Sequence, residues 1–254
     1  MRRPYVLAEC NWREMKDYKP DLVVLPWGAC EAHNFHLPYA TDIIEGDNIA
    51  HESARKAYDR GAKVIVLPTI PFGVNTGQTD ITLDMNIHPS TQHLILNDTI
   101  EVLNRQGIYK LLVLNSHGGN NFKTMLRELG VKYPEMLLTS CDWFRALDKT
   151  KYFEIEGDHA DEMETSLIMH LTPHLVDRIE EAGDGSQRLS KIEAIQEGWA
   201  WAERRWSSVT ADTGIGDPSK ASPEKGRAFF DDVTTKISEL MVDLCQVDRH
   251  DLYL

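Results

Sequence analysis

Four short apolar runs alternate with longer amphipathic segments along this chain, and this alternation limits its fold more than any other feature. The runs cover residues 22–25, 64–67, 111–114 and 136–139. The segments between them, at 48–58, 90–106 and 121–133, each end near a glycine or proline and are predicted to be helices. Strands that alternate with helices are typical of a mostly parallel sheet. We therefore predict a three-layer αβα fold.

The last third of the chain is predicted to be largely helical, at 159–171, 189–206 and 227–246. Ser222 as N-cap and Pro223 at the first helical position mark the start of the final helix. The tryptophans of the middle helix favour packing or a subunit contact over a substrate wall: Trp199, Trp201 and Trp206. The chain shows no repeat of 20 to 50 residues and no low-complexity block. We predict one domain over residues 1–254.

The charge of the chain excludes some partners. It has 27 Lys and Arg against 40 Asp and Glu, a formal net charge of −13. Nucleic acid and anionic membrane are not expected as partners, because both are recognised by basic surfaces. No run approaches the roughly 18 apolar residues of a membrane span, and the start lacks an apolar leader. A cytoplasmic location and a small-molecule substrate are expected.

One segment, LPWGACEAHNFHLPYATD at residues 25–42, is unusually rich in groups that bind metals. It contains Glu31, His33, His36 and Asp42, and it follows the first predicted strand. A second segment, NSHGGN, follows the third predicted strand and contains His117. Ligands of open α/β sheets bind beyond the carboxyl ends of the strands. We therefore expect Glu31, His33, Asp42 and His117 to converge on one edge of the sheet.

Imidazoles and carboxylates together favour a divalent metal. Zinc, manganese and iron all accept this mixed ligand set, and zinc is the first expectation. Asp42 is the candidate to bridge two ions, so one or two ions are expected. A single histidine at a strand end is more often structural than a ligand, so the prediction depends on the grouping. The glycines Gly118 and Gly119 allow a close backbone approach to a ligand, a tight turn, or both.

Two other function classes stay open at this point. Cys30 with His33 as its base could form a cysteine hydrolase, although a buried small side chain is the more ordinary state of such a cysteine. Alternatively, the chain could keep a metal site without catalysis and serve as a binding or scaffold protein. The four cysteines are scattered without a CxxC pair, which favours a reduced compartment and disfavours a zinc site built on cysteine.

Four motifs, in order along nearly the whole chain, resemble the creatininase (creatinine amidohydrolase) family. They are PWGACEAHNFHLPYATD, NSHGGN, DHADEMETSLIMHLTPHLVD and GIGDPSKASPEKG. The resemblance implies an αβα fold, divalent metal, hydrolysis of an amide-type C–N bond, and a homo-oligomer, often a hexamer. It implies that Glu31, Asp42 and His117 hold one ion. His33 and a bridging Asp42 would hold a second.

The resemblance also assigns proton transfer to the pair Asp158-His159 and a ligand or supporting role to Glu164. On this hypothesis a water activated by the metal attacks a carbonyl carbon, and His159, oriented by Asp158 or a neighbouring acid, donates a proton to the leaving nitrogen. His36 and His88 are possible substrate contacts, although each has a structural alternative: a hydrogen bond to backbone for His36, a turn before Pro89 for His88.

The chain departs from the family pattern at two places. Creatininase has a metal-binding glutamate two residues after the histidine of the HGGN motif, where this chain has Gly119. The usual HGPHLP is HNFHLP here, which places Asn34 and Phe35 beside the site. We therefore expect a second ion that is weaker, absent, or completed by Glu164 and water. Creatinine itself is not expected to be the substrate.

Overall fold

A computed structural model of the chain describes residues 2–254 and has one four-stranded parallel sheet at its centre. The strands are β1 (Leu22–Trp27), β2 (Val64–Val66), β3 (Lys110–Asn115) and β4 (Leu137–Asp142). Their order across the sheet is β2-β1-β3-β4, so β1 and β3 are central. β1 is buried along its whole length, as expected for a central parallel strand covered on both faces. The predicted α/β fold is confirmed.

Within residues 2–254, eight α-helices surround the sheet. They are α1 (Trp12–Met15), α2 (Thr41–Asp59), α3 (Pro89–Arg105), α4 (Lys123–Lys132), α5 (Glu162–Leu171), α6 (Glu193–Gln196), α7 (Trp206–Val209) and α8 (Pro223–Gln246). Ser222 caps α8 by accepting a hydrogen bond from Lys225 N–H, and Pro223 is its first residue, as the sequence predicts. None of these helices is long and apolar enough to cross a membrane.

The sheet separates two hydrophobic cores, because successive strand side chains point to opposite faces. Leu22 and Val24 of β1 pack with α2, α5 and α8 on one side. Val23 and Leu25 pack with α3 and α4 on the other. This alternation produces the three layers, with the longest helices in the layer formed by α2, α5 and α8.

Two of the predicted helices differ from the structure. The helix predicted at 48–58 begins at Thr41, so Asp42 lies in its first turn. The sequence favoured a later start because glycine, here Gly46, is unfavourable inside a helix. A side chain there would crowd Ser116, since a Cβ at Gly46 would lie 3.3 Å from Ser116 Cβ. A glycine inside a helix lowers its stability, but at this position it allows α2 to approach the loop after β3 closely.

The helix predicted at 189–206 is wrong. Only the short helix α6 lies within this segment, α7 begins at its last residue, and the chain between the two helices forms turns and irregular structure. Gly198 adopts φ of +80°, a left-handed conformation that ends α6. Trp199 and Trp201 are 75% and 82% exposed, so the packing predicted for them is absent, whereas Trp206 is buried.

The order of the strands positions the candidate site. Trp27 and Asn115 are paired at the carboxyl ends of β1 and β3. The loops that leave these two ends, at 28–40 and 116–122, therefore start side by side. β4 is the edge strand next to them.

Candidate metal centre

The residues predicted to bind metal come together in one buried cluster. Glu31 and His33 follow β1, Asp42 lies in the first turn of α2, and His117 follows β3. Each of the four side chains is no more than 5% exposed. Glu164 of α5 reaches the same cluster and is 13% exposed as a side chain. Buried ionisable groups at this density require partners or a cation.

Glu31, Asp42 and His117 form one potential ligand set. His117 Nδ1 lies 2.9 Å from Glu31 Oε1 and 3.0 Å from Asp42 Oδ2. The contact to Asp42 lacks hydrogen-bond geometry, and its Oδ2 is buried without a hydrogen-bond partner. A buried carboxylate oxygen that no donor reaches is suited to a cation.

His33, Asp42 and Glu164 form a second set. His33 Nε2 lies 3.1 Å from Asp42 Oδ1 and 3.9 Å from Glu164 Oε2. One ligand atom from each member of a set lies within 4.8 Å of the others, as in the first set. Asp42 belongs to both sets, with one oxygen toward each, which is the arrangement of a bridging carboxylate.

Backbone carbonyls fix the orientation of both imidazoles. His33 Nδ1 lies 3.1 Å from the carbonyl oxygen of Glu31, and His117 Nε2 lies 3.1 Å from that of Val74. A nitrogen that faces a carbonyl carries the proton, so the opposite nitrogen presents its lone pair to the cluster. Histidine ligands of metals are held in this way.

The pKa values of the buried side chains in the cluster depend on one another. Burial alone would raise the pKa of Glu31, but the imidazoles of His117 and His159 lower it. Burial would lower the pKa of His33, yet Asp42 raises it to about 10. Burial raises the pKa of Glu164 to about 8. Without a cation the cluster retains protons, and metal binding must release them.

These residues therefore fit divalent metal. The donors are carboxylate oxygen and imidazole nitrogen, the types that zinc and manganese accept. The two sets share Asp42, the side chains are already assembled, and the outer nitrogens of both imidazoles are anchored.

His159 faces the same cavity with a free nitrogen. Its Nε2 donates to the carbonyl oxygen of Ala32 at 2.8 Å, so its Nδ1 is unprotonated in the neutral ring. Nδ1 lies 3.7 Å from Glu31 Oε1. Burial and the nearby imidazole of His33 lower the pKa of His159. The ring can accept a proton from a group in the cavity.

Asp158 does not orient His159, contrary to the prediction. Its carboxylate accepts a hydrogen bond of 2.8 Å from Arg204 Nη1, and the side chain is 58% exposed. The Arg204 guanidinium lies over Trp206, 4.5 Å from the ring centre. Trp206 meets the His159 ring edge-on at 5.4 Å. Asp158 therefore reaches His159 only through this chain of contacts, and Ala32 provides the direct orientation.

The cluster lies at the base of a cavity of about 470 Å³. Gly118 and Gly119 line this cavity, whereas His36 and His88 do not. His36 is buried behind the cluster, with Nε2 2.8 Å from Thr165 Oγ1. His88 is exposed at the N-cap of α3. The geometry therefore does not support substrate contact by either histidine.

The arrangement expected of a cysteine hydrolase is absent from the described residues. Burial raises the pKa of the Cys30 thiol, which lowers the thiolate fraction. His33 directs Nε2 toward Asp42, and Cys30 does not line the cavity. Cys30 instead pairs its backbone with Met85.

Sequence reasoning missed two side chains of this site. Gln78 Nε2 donates to Glu31 Oε2 at 2.5 Å and holds that carboxylate in place. Glu45 is fully buried, and neither of its oxygens has a hydrogen-bond partner. Burial raises its pKa well above the ordinary value. The spacing of Glu45, one turn after Asp42 on the same helix, could have revealed it.

Comparisons with known proteins agree with this geometry. The model of the Creatininase family, described as creatinine amidohydrolase, matches residues 8–241. The chain belongs to the creatininase family. A crystal structure from Bacteroides fragilis NCTC 9343, provisionally named a creatinine amidohydrolase, is 41% identical. It superposes with a TM-score of 0.93 and covers 99% of this chain and 100% of its own.

More distant proteins are also similar to this chain, two by structure and one by sequence. A manganese form of creatininase is 18% identical, covering 96% of this chain and 100% of its own with a TM-score of 0.78. A zinc–zinc form of a creatininase variant has a TM-score of 0.79 at 18% identity, with the same coverage. The mycofactocin precursor peptide peptidase of Mycobacterium ulcerans (strain Agy99) is 22% identical over 231 residues, 85% of this chain and 84% of its own.

Proposed function

We propose that the chain is a metal-dependent hydrolase that cleaves an amide-type C–N bond. The observation that carries this proposal is the sharing of Asp42 between two buried ligand sets, Glu31/Asp42/His117 and His33/Asp42/Glu164. Family members act on different molecules, since one is named for creatinine and another for a precursor peptide. Membership of the family therefore supports the reaction class more strongly than any particular substrate.

Glu31, Asp42 and His117 would hold one divalent ion, and His33, Asp42 and Glu164 a second. Such ions supply Lewis-acid polarisation of a carbonyl and lower the pKa of water toward 7. Zinc and manganese both suit these ligands, and relatives are described with each. Homo-oligomer formation stays a prediction.

Glu164 takes the place that a glutamate at position 119 would occupy in creatininase. Gly119 has no room for a side chain, because a Cβ there would lie 2.3 Å from Val74 O and 2.5 Å from His117 Nε2. The backbone at Gly119 instead lies close to the imidazole of His117. The second ligand set is therefore completed from α5 rather than from the HGGN loop.

His159 is the proton carrier in this proposal. Its free Nδ1 accepts a proton from the water that attacks the carbonyl carbon, and the ring then gives that proton to the leaving nitrogen as the C–N bond breaks. The products are a carboxylic acid and an amine. Trp206 shields one side of the ring, and the bond to Ala32 keeps Nδ1 directed into the cavity.

Metal analysis combined with a substrate panel tests the proposal. The purified protein, stripped and reloaded with zinc or manganese, is assayed on lactams, formamides and short peptides. We expect hydrolysis that a chelator abolishes and that added metal restores. Glu164→Gln should strongly lower the rate of hydrolysis. Glu239→Gln, an exposed substitution on α8, serves as the control and should leave the rate unchanged.

A non-catalytic scaffold is the remaining alternative. It predicts tight, stoichiometric metal binding with no turnover of any amide in the panel. The open cavity beside both ligand sets and the directed nitrogen of His159 favour the enzyme, because a purely structural metal site is closed.

A further inference from the structure

A second groove opens beside the metal-lined cavity, between α4 and the edge strand β4. Its volume is about 290 Å³, and it is lined by Lys123, Leu126 and Arg127 of α4 and by Leu138 and Ser140 of β4. Lys123 and Ser140 also line the metal-lined cavity. The two spaces are therefore neighbours that share these two lining residues, so an extended molecule in the cavity has the groove beside it.

The outer edge of β4 offers free backbone groups along this groove. β4 pairs with β3 on one side, and no other strand of residues 2–254 pairs with it. Leu137 N–H donates to Tyr109 O at 2.8 Å. Because backbone groups alternate in direction along a parallel strand, those of Leu138 and Ser140 point away from β3. An extended chain could bind to these groups as an added strand.

The groove combines an apolar floor with a basic rim. Leu126 and Leu138 form the floor, and Lys123 and Arg127 are exposed above it. Within residues 2–254 neither basic side chain forms a salt bridge, and the nearby ion pairs involve other residues. Arg145 lines the metal-lined cavity, and its Nε lies 3.9 Å from Asp142 Oδ2. A basic rim is notable in a protein of formal net charge −13 and favours an acidic occupant.

We propose that this groove binds an extended, acidic peptide segment of the substrate as a strand added to β4. The segment leads the scissile C–N bond toward Asp42 and His117, its alternate side chains meet Leu126 and Leu138, and its carboxylates meet Lys123 and Arg127. This inference names the substrate class of the proposed hydrolase and rests on that function. An unpaired edge strand is also suited to a second copy of the chain, so the test must separate the two occupants.

Peptide binding without chemistry is the first experiment. A fluorescein-labelled hexapeptide of alternating leucine and glutamate, and its leucine–glutamine counterpart, are titrated with the full protein in a chelator. Fluorescence anisotropy reports binding. We expect the acidic peptide to bind more tightly. The double charge reversal Lys123→Glu/Arg127→Glu should weaken it roughly tenfold, because two exposed ion pairs are lost.

The control is Arg60→Glu, a charge reversal just after α2, at the opposite edge of the sheet. It should leave the affinity for both peptides unchanged. Equal affinity of the wild-type protein for the acidic and neutral peptides would overturn the proposal. So would equal loss of affinity in the groove variant and the control.

Single N-methylation of the acidic peptide tests strand addition itself. An added strand uses every second backbone N–H. Methylation should therefore weaken binding at alternate positions and have little effect between them. An effect of the same size at every position, or at none, would show that the peptide does not pair with β4.

Two further readings distinguish this proposal from its alternatives. Hydrolysis of a small lactam with no preference for acidic peptides would leave the proposed function standing and overturn the groove. Acidic-peptide binding with no hydrolysis of any amide would overturn the proposed function, although it would leave the groove as a peptide-binding site. Light scattering addresses the second copy: if Lys123→Glu/Arg127→Glu lowers the mass of the assembly, the groove is a subunit interface and the peptide proposal is wrong.

Discussion

The base of the cavity and its outer wall are built in different ways. The base comes from the loops after β1 and β3, and its ligands are buried and anchored by backbone carbonyls. The wall comes from the irregular chain between α6 and α7, where Trp201 is 82% exposed. Its main anchor near the site is the exposed pair of Arg204 and Asp158.

This difference separates chemistry from selectivity. A base fixed by the central strands holds its geometry whatever the substrate, because the two strand ends are adjacent in the sheet. A wall held by exposed contacts can change in sequence and shape at little cost in stability. The relatives of this chain are accordingly named for different molecules, creatinine in one case and a precursor peptide in another.

Removal of Asp42 should have the largest effect, because it is common to both ligand sets. Asp42→Ala should lose both ions and lower kcat/KM by about 10³-fold or more, since several kcal/mol of transition-state stabilisation disappear. Glu164→Gln should lose one ion only. Metal content measured on both purified variants gives the test. Two ions retained by Asp42→Ala would show that this carboxylate is not a bridge.

His159→Gln should remove proton transfer but not metal. We expect kcat to fall by about 10²- to 10⁴-fold, the usual contribution of a general acid or base. Metal content should equal that of the wild-type protein. The pH–rate profile should also lose the limb that corresponds to this imidazole. Loss of an ion from the variant would instead make His159 a ligand.

Two adjacent glycines provide a matched test of the base. Gly119→Ala introduces a methyl group 2.3 Å from Val74 O, whereas Gly118→Ala meets nothing within 4 Å. We expect Gly119→Ala to displace His117, weaken metal binding and lower kcat/KM at least roughly tenfold, since overpacking commonly costs about 1–3 kcal/mol. Gly118→Ala should retain metal affinity. Metal titration of both variants decides the matter, and similar affinities would contradict the close packing.

Substitutions in the wall should have smaller effects of a different kind. Arg204→Met removes the pair with Asp158, which is about half exposed on each side. Such a pair contributes about 0.2–1 kcal/mol. We expect KM to rise several-fold with kcat within about twofold, and stability to change little. A cycle with Asp158→Asn isolates the pair. A large fall in kcat would show that the wall also orients His159.

The last prediction concerns stability rather than activity, and it depends on pH and on His36, which lies behind the base. Burial lowers the pKa of His36 to about 4. The native state then binds fewer protons than the unfolded state between about pH 4 and 6.5, so stability is lost as pH falls through this range. From pH 7.5 to 5 the wild-type protein should lose roughly 2 kcal/mol more than His36→Gln. Urea unfolding of both proteins at the two pH values measures this difference, and parallel losses would contradict it.

The sequence predicted the base of the site better than its wall for physical reasons. Glu31, His33, Asp42 and His117 follow strands whose apolar pattern fixes their position, so their convergence could be expected. The hydrogen bonds to the carbonyl oxygens of Ala32 and Val74 could not be predicted, because every residue type has a backbone carbonyl. The resemblance to the creatininase family suggested Asp158 or a neighbouring acid as the group that orients His159, but Asp158 faces Arg204.

The prediction of a helix in the wall, at 189–206, was wrong for another reason. Residues 189–206 contain helix-forming residues and three tryptophans, and local propensity favours a helix there. Gly198 ends α6 after one turn, and the chain that follows it up to α7 is irregular. Ser207 donates to Asp80, which is 127 residues away. Pairings of this range are not visible in a local pattern.

Helix α2 links the metal centre to the far side of the molecule. Asp42 lies in its first turn, and near its last turn Lys56 Nζ donates to Asp231 O, Thr234 Oγ1 and Thr235 Oγ1 of α8. A helix of 19 residues is about 28 Å long. It connects the candidate metal ligands to α8, so we expect removal of the proposed metal at one end to be detectable as faster amide exchange at the other.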